Sequence, residues 1–224
     1  MKKLVIIALI VFTWRSVNAQ SILQINIKDC RQENSFEYLS DFKVFRGDTL
    51  IKNVEPKYDS SQILKDLKYG KYRIEYKTMF NKTENVNIEL IDRKKYSIDL
   101  CLNFLDHESD SYQPFITRLE NGDSYSIQVS SQGCFHSSKE VITVKRKSNK
   151  YYLTFKEEEK LLDTSEIKAI KNFEKELNYM KSYGCTTTDT YILKYKSQEV
   201  KISDGSCSWK GYYYLKKELK LIEH

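Results

Sequence analysis

Apolar and polar side chains alternate through most of the first hundred residues, which is the period of half-buried β-strands. Near the start, Leu23, Ile25 and Ile27 alternate with polar neighbours. Two further runs flank Arg46-Gly47-Asp48, whose composition is typical of a hairpin turn. The alternation continues at Tyr72, Ile74, Tyr76, Val86, Ile88, Leu90, Ile98, Leu100 and Leu102. Short strands separated by turn signals predict an antiparallel β-sandwich over residues 20–106.

One of these strands carries the motif of a known family. The pattern Leu67-x-x-Gly70-x-Tyr72-x-Ile74-x-Tyr76 resembles a strand start in transthyretin-like, or carboxypeptidase-regulatory-like, β-sandwich domains. In that family the glycine permits a tight turn, and the alternating residues fill the space between the sheets. The resemblance implies a packing and display module rather than a catalyst. The chain as a whole resembles uncharacterised secreted bacterial proteins, and no activity attaches to that resemblance.

The second half mixes strand and helix patterns. Residues 125–129, 140–146 and 151–155 are strand-like, and a hairpin is predicted over residues 191–203. A helix is expected after Asp163, because Glu166 lies at the spacing of a capping box. Its apolar stripe is Ile167, Ile170, Phe173, Leu177 and Met180, its expected stop is Tyr183-Gly184, and a last helix is expected over Gly211–Ile222.

These patterns predict an α+β protein. An N-terminal antiparallel β-sandwich is followed by a small α+β domain with two helices. The predicted division is a signal peptide over 1–19, a β-sandwich domain over 20–106, a polar linker over 107–114 and an α+β domain over 115–224. The linker is short, so the two domains are expected to touch.

Residues 1–19 have the organisation of a secretory signal peptide. Lys2-Lys3 gives a basic start, Leu4–Phe12 is almost wholly apolar, and Val17-Asn18-Ala19 supplies small residues before Gln20. The apolar run is about half of the ~20 residues that a transmembrane helix requires, so cleavage before Gln20 is expected. No membrane span is expected after signal removal, and the predicted location is secreted or periplasmic.

The charge of the chain gives no indication of a nucleic-acid partner. The full sequence has a net charge of +6, and removal of the three basic residues in the signal peptide leaves +3. Acidic and basic side chains are interspersed, without the basic patch that nucleic-acid binding requires. The expected partner is a protein or a glycan of unknown identity.

Five cysteines follow the predicted signal peptide, and in an exported protein they are expected to form disulfides. If Tyr195 pairs with Gln198 in the predicted hairpin, Cys185 falls within one residue of the position opposite Cys207. This register favours a bond between the two cysteines.

The other three cysteines leave an odd count. Cys30 and Cys101 end two strands of the sandwich on the same polar side, and they form the second candidate pair. Cys134 would then stay unpaired. A bond from Cys134 to Cys185 or Cys207 is the alternative.

The segment Gly133-Cys134-Phe135-His136 is the most suggestive cluster for chemistry, because a thiolate beside a histidine serves cysteine hydrolases as nucleophile and base. Two residues apart in a strand, these side chains would share a face without a guaranteed contact. No third catalytic group is identifiable. The preferred interpretation is a half-exposed strand with a slowly reacting structural cysteine, so no catalytic residue is assigned.

Metal and cofactor sites have no motif in the sequence. None of the three histidines lies at ligand spacing from another. Asp106, Glu108 and Asp110 alternate, but the glycine and glutamate of an EF-hand loop do not follow them. A solvated linker is the preferred interpretation of these acids, and no metal or cofactor is expected.

A possible binding patch lies at the end of the predicted hairpin. The hairpin register brings two polar loops together there, with Trp209 as a stacking platform beside Thr187, Asp189 and Asp204. The alternative is ordinary capping and turn chemistry, in which Ser208 caps the last helix and Asp204 forms a turn.

The leading functional hypothesis is an exported, non-enzymatic protein that serves as a binding or structural module of the cell envelope or extracellular space. A glycan- or peptide-binding accessory protein is the first alternative, using exposed aromatic residues at Tyr151, Tyr152, Trp209 and 212–214. A secreted cysteine hydrolase with Cys134 and His136 is the second. Exposure of the aromatic residues and of the thiol distinguishes the three.

Overall fold

The computed structural model describes residues 21–31, 41–55, 61–180, 184 and 186–222. The predicted signal peptide, Tyr183 of the expected helix stop, and Cys185 lie outside the described residues. Within the described ranges, no helix is long and apolar enough to cross a membrane.

The described residues of the first half form seven strands in two sheets. The strands are β1 (Ser21–Lys28), β2 (Phe42–Arg46), β3 (Thr49–Val54), β4 (Ser61–Leu67), β5 (Gly70–Lys77), β6 (Thr83–Leu90) and β7 (Lys95–Cys101). One sheet has the order β4-β1-β7 and the other β3-β2-β5-β6. Both contribute side chains to one buried core, with Ile25 and Leu100 from the first sheet and Val44 and Ile74 from the second. The predicted β-sandwich-like arrangement is confirmed.

One strand pair departs from the predicted antiparallel arrangement. β1 and β7 run parallel, from Ile22 opposite Lys95 to Lys28 opposite Cys101. A parallel pair needs a long crossover connection, and the strands that lie between β1 and β7 in the chain supply it. The direction of pairing follows from this topology, because the alternation within a strand is the same for either direction.

β5 begins at Gly70, as the family motif predicts, and its alternating residues Tyr72, Ile74 and Tyr76 are buried. The φ angle of Gly70 is +140°, a region that is nearly exclusive to glycine. A Cβ at this position would lie 3.2 Å from Nε of Arg46. The backbone conformation therefore favours glycine, whereas the Arg46 side chain would have to shift by only a few tenths of an ångström to admit a Cβ.

The second half forms one six-stranded antiparallel sheet with helices packed on it. Its elements are α1 (Phe115–Arg118), β8 (Ser124–Gln132), β9 (Ser137–Lys147), β10 (Lys150–Phe155), β11 (Glu158–Leu161), α2 (Thr164–Tyr179), β12 (Thr188–Tyr195), β13 (Gln198–Asp204) and α3 (Gly211–Glu218). The strand order is β11-β10-β9-β8-β12-β13. The predicted α+β class is confirmed, although the described part of the second half has three helices rather than two.

α2 begins as the sequence predicts and ends earlier. Asp163 accepts a hydrogen bond from the backbone N–H of Glu166, and the Glu166 side chain accepts one from the N–H of Asp163. The helix ends at Tyr179 because Met180 is extended, with ψ of 117°, and buries its side chain in the core. Tertiary packing of Met180 thus ends the helix before Gly184.

The register of the β12–β13 hairpin agrees with the prediction. Tyr195 lies opposite Gln198, and the apolar residues Leu193 and Tyr191 lie opposite Val200 and Ile202. The pairing of apolar with apolar positions sets this register, because a shift of one residue would move every side chain to the other face.

The two halves of the chain have separate cores that touch. Phe80, in the turn between β5 and β6, is buried among residues of the second core. The N–H of Met79 in the same turn donates to the carbonyl of Leu102 at 2.8 Å. Residues 107–114 have no helix or strand, and Lys175 of α2 donates to the carbonyls of His107 and Asp110. The expected linker is therefore fastened to the second half.

Candidate functional site

Polar side chains from both halves meet where the ends of β1 and β7 lie against α2 and α3. A disulfide between Cys30 and Cys101 joins the two strand ends. The name junction network is used here for Asp29, Arg31, Asn103, His107, Glu176, Trp209 and Tyr214.

Asp29 is the centre of this network on the sandwich side. Its Oδ1 accepts hydrogen bonds from the backbone N–H of Arg31, at 2.8 Å, and from the side-chain amide of Asn103. Its Oδ2 accepts one from the Tyr214 hydroxyl of α3 at 2.6 Å. Asn103 accepts in turn from the N–H of Cys30 at 2.9 Å. Asp29 is almost fully buried, and these bonds offset the loss of its hydration.

Glu176 is the centre on the helix side. Nη1 of Arg31 lies 3.1 Å from Oε1, and Nη2 lies 3.2 Å from Oε2, which makes a two-pronged ion pair. Nε2 of His107 lies 3.1 Å from Oε1, and Nε1 of Trp209 donates to Oε2 at 3.1 Å. The Arg31 guanidinium also lies 4.2 Å from the centre of the Tyr214 ring. Both oxygens of this buried carboxylate are thus fully used by protein groups.

A cavity of about 270 Å³ opens beside the junction network. The disulfide and Phe104 line it from the first half, and Asn172 and Phe173 of α2 and Glu218 of α3 line it from the second. It is slightly smaller than the usual range for ligand pockets, which is about 300–1,000 Å³. Its position at a boundary between two packed units is a common one for such pockets.

A second buried carboxylate of α2 is Glu174, which bonds α1. It accepts the backbone N–H of Phe115 at 2.6 Å and that of Ile116 at 3.4 Å, so it satisfies the first donors of α1. Burial raises the pKa of Glu174 to about 7, although these N–H groups and the charge of Arg118 act to lower it. Its role is to hold α1 against α2.

The predicted binding patch is not an exposed platform. Trp209 is buried, and its ring stacks on Phe173 with the centroids 5.6 Å apart. The hydrophobic side of a large indole packs into the core here because Glu176 satisfies its one polar atom. Of the other aromatic residues expected at the surface, Tyr214 is buried and Tyr213 is exposed, while Tyr151, Tyr152 and Tyr212 are half-buried.

The acidic members of the patch do come together. Asp189 and Asp204 are opposite each other at the end of the β12–β13 ladder. Asp204 is buried and accepts the N–H of Ser206 at 2.8 Å, which is the turn chemistry of the alternative interpretation. Burial raises the pKa of Asp204, and the charge of Asp189 adds to this effect. Thr187 is half-buried beside Gly133 rather than beside Trp209.

Cys134 and His136 lie in the turn between β8 and β9 rather than in a strand. The N–H of Gly133 donates to the carbonyl of His136 at 3.0 Å and closes this turn. Nε2 of His136 lies 3.2 Å from the Ser131 hydroxyl, and no described contact joins it to the thiol. Cys134 is unpaired and exposed, and Phe135 is fully exposed. The expectation of a half-exposed strand is therefore wrong, because Cys134 is exposed in a turn, whereas the expected slow reaction of the thiol stays a prediction.

The cysteine predictions separate into tested and untested bonds. The Cys30–Cys101 bond is confirmed, with Cα atoms 5.3 Å apart. Because Cys134 is free, its alternative pairing with Cys185 or Cys207 is wrong. Cys207 is disulfide-bonded, but Cys185 lies outside the described residues. The Cys185–Cys207 pair thus stays a prediction.

No group of three or more His, Cys, Asp or Glu residues within the described ranges is arranged to hold a metal ion. Asp106 accepts the backbone N–H groups of Glu108 and Ser109 at 3.2 and 3.3 Å. Asp110 accepts the N–H of Tyr112 at 2.8 Å and the hydroxyl of Tyr179 at 2.5 Å. The acids of the 107–114 region thus form turns and fasten this segment to α2.

Sequence reasoning missed most of the junction network. Asp29, Arg31 and Asn103 are in polar strand ends with no recognisable motif. The one available signal is in α2, where Glu176 follows Phe173 by three residues and precedes Leu177. A carboxylate on the apolar stripe of a helix indicates a buried acid that needs a partner.

No protein-family model matches the chain, and no curated protein sequence matches it significantly. Among solved structures, the Bacillus anthracis TIE protein is similar to it at 11% identity and a TM-score of 0.34, over 65% of this chain and 31% of that one. A streptococcal ancillary pilin is similar at 10% identity and a TM-score of 0.30, over 84% of this chain and 59% of that one. The chain spans less than two thirds of the length of either protein.

Proposed function

We propose that this protein is a non-enzymatic structural or binding module of the cell envelope or extracellular space. Its two halves are held in one fixed arrangement by the junction network, so that surfaces of both are presented together to another component. The resemblance of the Leu67–Tyr76 segment to transthyretin-like domains supports such a display role.

The observation that carries this proposal is the saturation of Glu176. A general acid or base must be within reach of a substrate and free to exchange its proton. Here Arg31, His107 and Trp209 occupy both oxygens of the Glu176 carboxylate. The contact with Glu176 occupies one nitrogen of the His107 imidazole. These ionisable groups are therefore used to fasten helix to strand.

The disulfides support a location outside the cytoplasm. Cys30 and Cys101 are bonded to each other, and Cys207 is also disulfide-bonded. Such bonds persist in oxidising compartments and are rare in the cytosol.

This location agrees with the predicted signal peptide. The intact mass of the exported protein should therefore correspond to a chain that starts at Gln20. A mass that retains residues 1–19 would contradict the proposed export.

The hydrolase alternative is tested by labelling Cys134 with iodoacetamide in the native protein. Because Cys134 is exposed and His136 bonds Ser131, we expect labelling to proceed at the same rate in wild type and in His136→Ala. Cys134→Ala, which removes the only unpaired thiol of the described chain, is the control and should take up no label. A marked slowing of labelling in His136→Ala would show that the imidazole activates the thiol, and would overturn the non-enzymatic proposal.

A further inference from the structure

The cavity beside the junction network contains a carboxylate that no positive group neutralises directly. Glu218, in the last turn of α3, lines the rim of the cavity and forms no ion pair within the described ranges. Arg31, whose charge has the largest lowering effect on the pKa of Glu218, is already bound to both oxygens of Glu176. Glu218 differs in this way from Asp29 and Glu176, whose oxygens are occupied by protein donors.

Glu218 is exposed to solvent, and two features nevertheless disfavour its negative charge. Partial burial raises the pKa of Glu218; Arg31 opposes this effect, and the charge of Glu176 adds to it. The side chain also lies at the C-terminal end of α3, where the helix dipole disfavours a carboxylate. Arg31 and His107 offset these effects in part, and a cation bound in the cavity would offset them further.

The rest of the cavity wall is apolar or neutral. Phe104 stands at the rim with 43% of its surface exposed, and Phe173 and Leu215 line the interior. Asn172 of α2 faces the same space and makes no described hydrogen bond, so its amide oxygen is available as an acceptor. The wall therefore offers one charge, one neutral acceptor and an aromatic surface.

We propose that the cavity binds a small primary amine that carries an apolar group. Its ammonium would lie between the Glu218 carboxylate and the Asn172 amide oxygen, and its apolar group would pack on Phe104 and Phe173. An anionic ligand is disfavoured, because the guanidinium of Arg31 is engaged and two carboxylates face the site. The inference does not rest on the proposed function, since a structural module and an enzyme could bind an amine equally well.

Benzylamine is the probe, with benzyl alcohol and benzoate as matched neutral and anionic analogues. Binding is followed by the fluorescence of Trp209, which bonds Glu176 and stacks on Phe173 at the cavity wall. The only other tryptophan, Trp14, lies in the predicted signal peptide. We expect benzylamine to bind about tenfold more tightly than benzyl alcohol, and benzoate to bind most weakly. Tighter binding of benzoate, or no response to any probe at millimolar concentrations, overturns the proposal.

Variants locate the charge that binds the amine. Glu218→Gln should lower the affinity for benzylamine about tenfold and leave that for benzyl alcohol unchanged. Glu199→Gln, on exposed β13 where Glu199 pairs with Lys194 at 3.0 Å, is the matched control and should leave both unchanged. Equal loss of both ligands in Glu218→Gln, with an unchanged unfolding temperature, would assign binding to shape alone and overturn the proposed charge recognition.

A last comparison identifies the source of the amine. N-acetyl-lysine amide presents the same ammonium on a peptide-like stem. If it binds as tightly as benzylamine and shows the same loss in Glu218→Gln, the ligand is a lysine side chain of a partner peptide. If only benzylamine binds, the ligand is a free amine. Failure of both amines overturns the proposal.

Discussion

Glu174 and Glu176 lie two residues apart on α2, both are buried, and their surroundings stabilise different charge states. Glu176 bonds the guanidinium of Arg31 and two ring nitrogens, so its negative charge is compensated. Glu174 accepts bonds from two backbone N–H groups, and no ion pair reaches it within the described ranges. Burial therefore raises the pKa of Glu174 to about 7. One helix turn thus holds an ion-paired carboxylate beside a carboxyl whose pKa is raised to about 7.

Glu174→Gln tests this difference through the pH dependence of stability. A carboxyl whose pKa rises from 4.5 unfolded to about 7 folded contributes stability that is full below pH 4.5 and is lost as the pH rises through 7. We expect the free energy of unfolding of the wild type, measured in urea, to fall by up to about 3 kcal/mol over this window. The glutamine cannot ionise and keeps an acceptor for α1, so the variant should show a flatter profile.

Glu158→Gln is the control for this experiment, because Glu158 is exposed at the start of β11. Its profile should follow that of the wild type. A Glu174→Gln profile that also parallels the wild type would show that another group causes the pH dependence.

At the scale of elements, glycine positions determine where strands of the sandwich can start. Gly70 has φ of +140° and Gly47, in the β2–β3 turn, has φ of +56°. The region near +56° is open to other residues at moderate cost, whereas the region near +140° is nearly restricted to glycine. A Cβ at position 47 meets nothing within 4 Å, while one at position 70 meets Arg46.

Alanine substitutions compare the two positions. Gly70→Ala should lower the free energy of unfolding by about 2–3 kcal/mol, and Gly47→Ala by about 1 kcal/mol. Chemical denaturation with the same probe measures both. Equal losses would mean that β5 does not depend on the Gly70 conformation and that the glycine in the Leu67–Tyr76 pattern has another cause here.

Local patterns were sufficient to predict the features that neighbouring residues specify. The β12–β13 register followed from apolar pairing, and the start of α2 followed from Asp163 and Glu166. α1 and β11 were missed, because four residues are too few to show a period. The parallel pairing of β1 with β7 was missed because direction depends on the whole intervening chain.

At the scale of the whole molecule, the candidate site could not be predicted, because its partners are distant in sequence. Asp29 and Tyr214 are separated by 185 positions and are joined by one hydrogen bond of 2.6 Å. Arg31 and Glu176 are separated by 145. No local pattern encodes which strand end meets which helix. The sequence indicated only the two cysteines beside the network, and the confirmed Cys30–Cys101 bond places that strand end correctly.

The junction network determines how the two cores unfold. Because Asp29 and Glu176 bond residues of the opposite half, loosening one core exposes buried charge in the other. We therefore expect the wild type to show one calorimetric transition, and Arg31→Ala to separate it into two. Arg31→Ala leaves Glu176 buried without its cation, which costs about 3–5 kcal/mol.

A double-mutant cycle measures the coupling directly. Arg31→Ala combined with Glu176→Ala should destabilise the protein by less than the sum of the single changes, with a coupling of at least about 1 kcal/mol. Lys43 and Glu75, an exposed pair 3.3 Å apart within the sandwich, form the control cycle, whose coupling should be clearly smaller and whose transition should stay single. Additive losses at Arg31 and Glu176, with one unchanged transition, would mean that apolar contacts such as Phe80 couple the halves. The junction would then have no structural role, and the saturation of Glu176 would no longer support a non-enzymatic function.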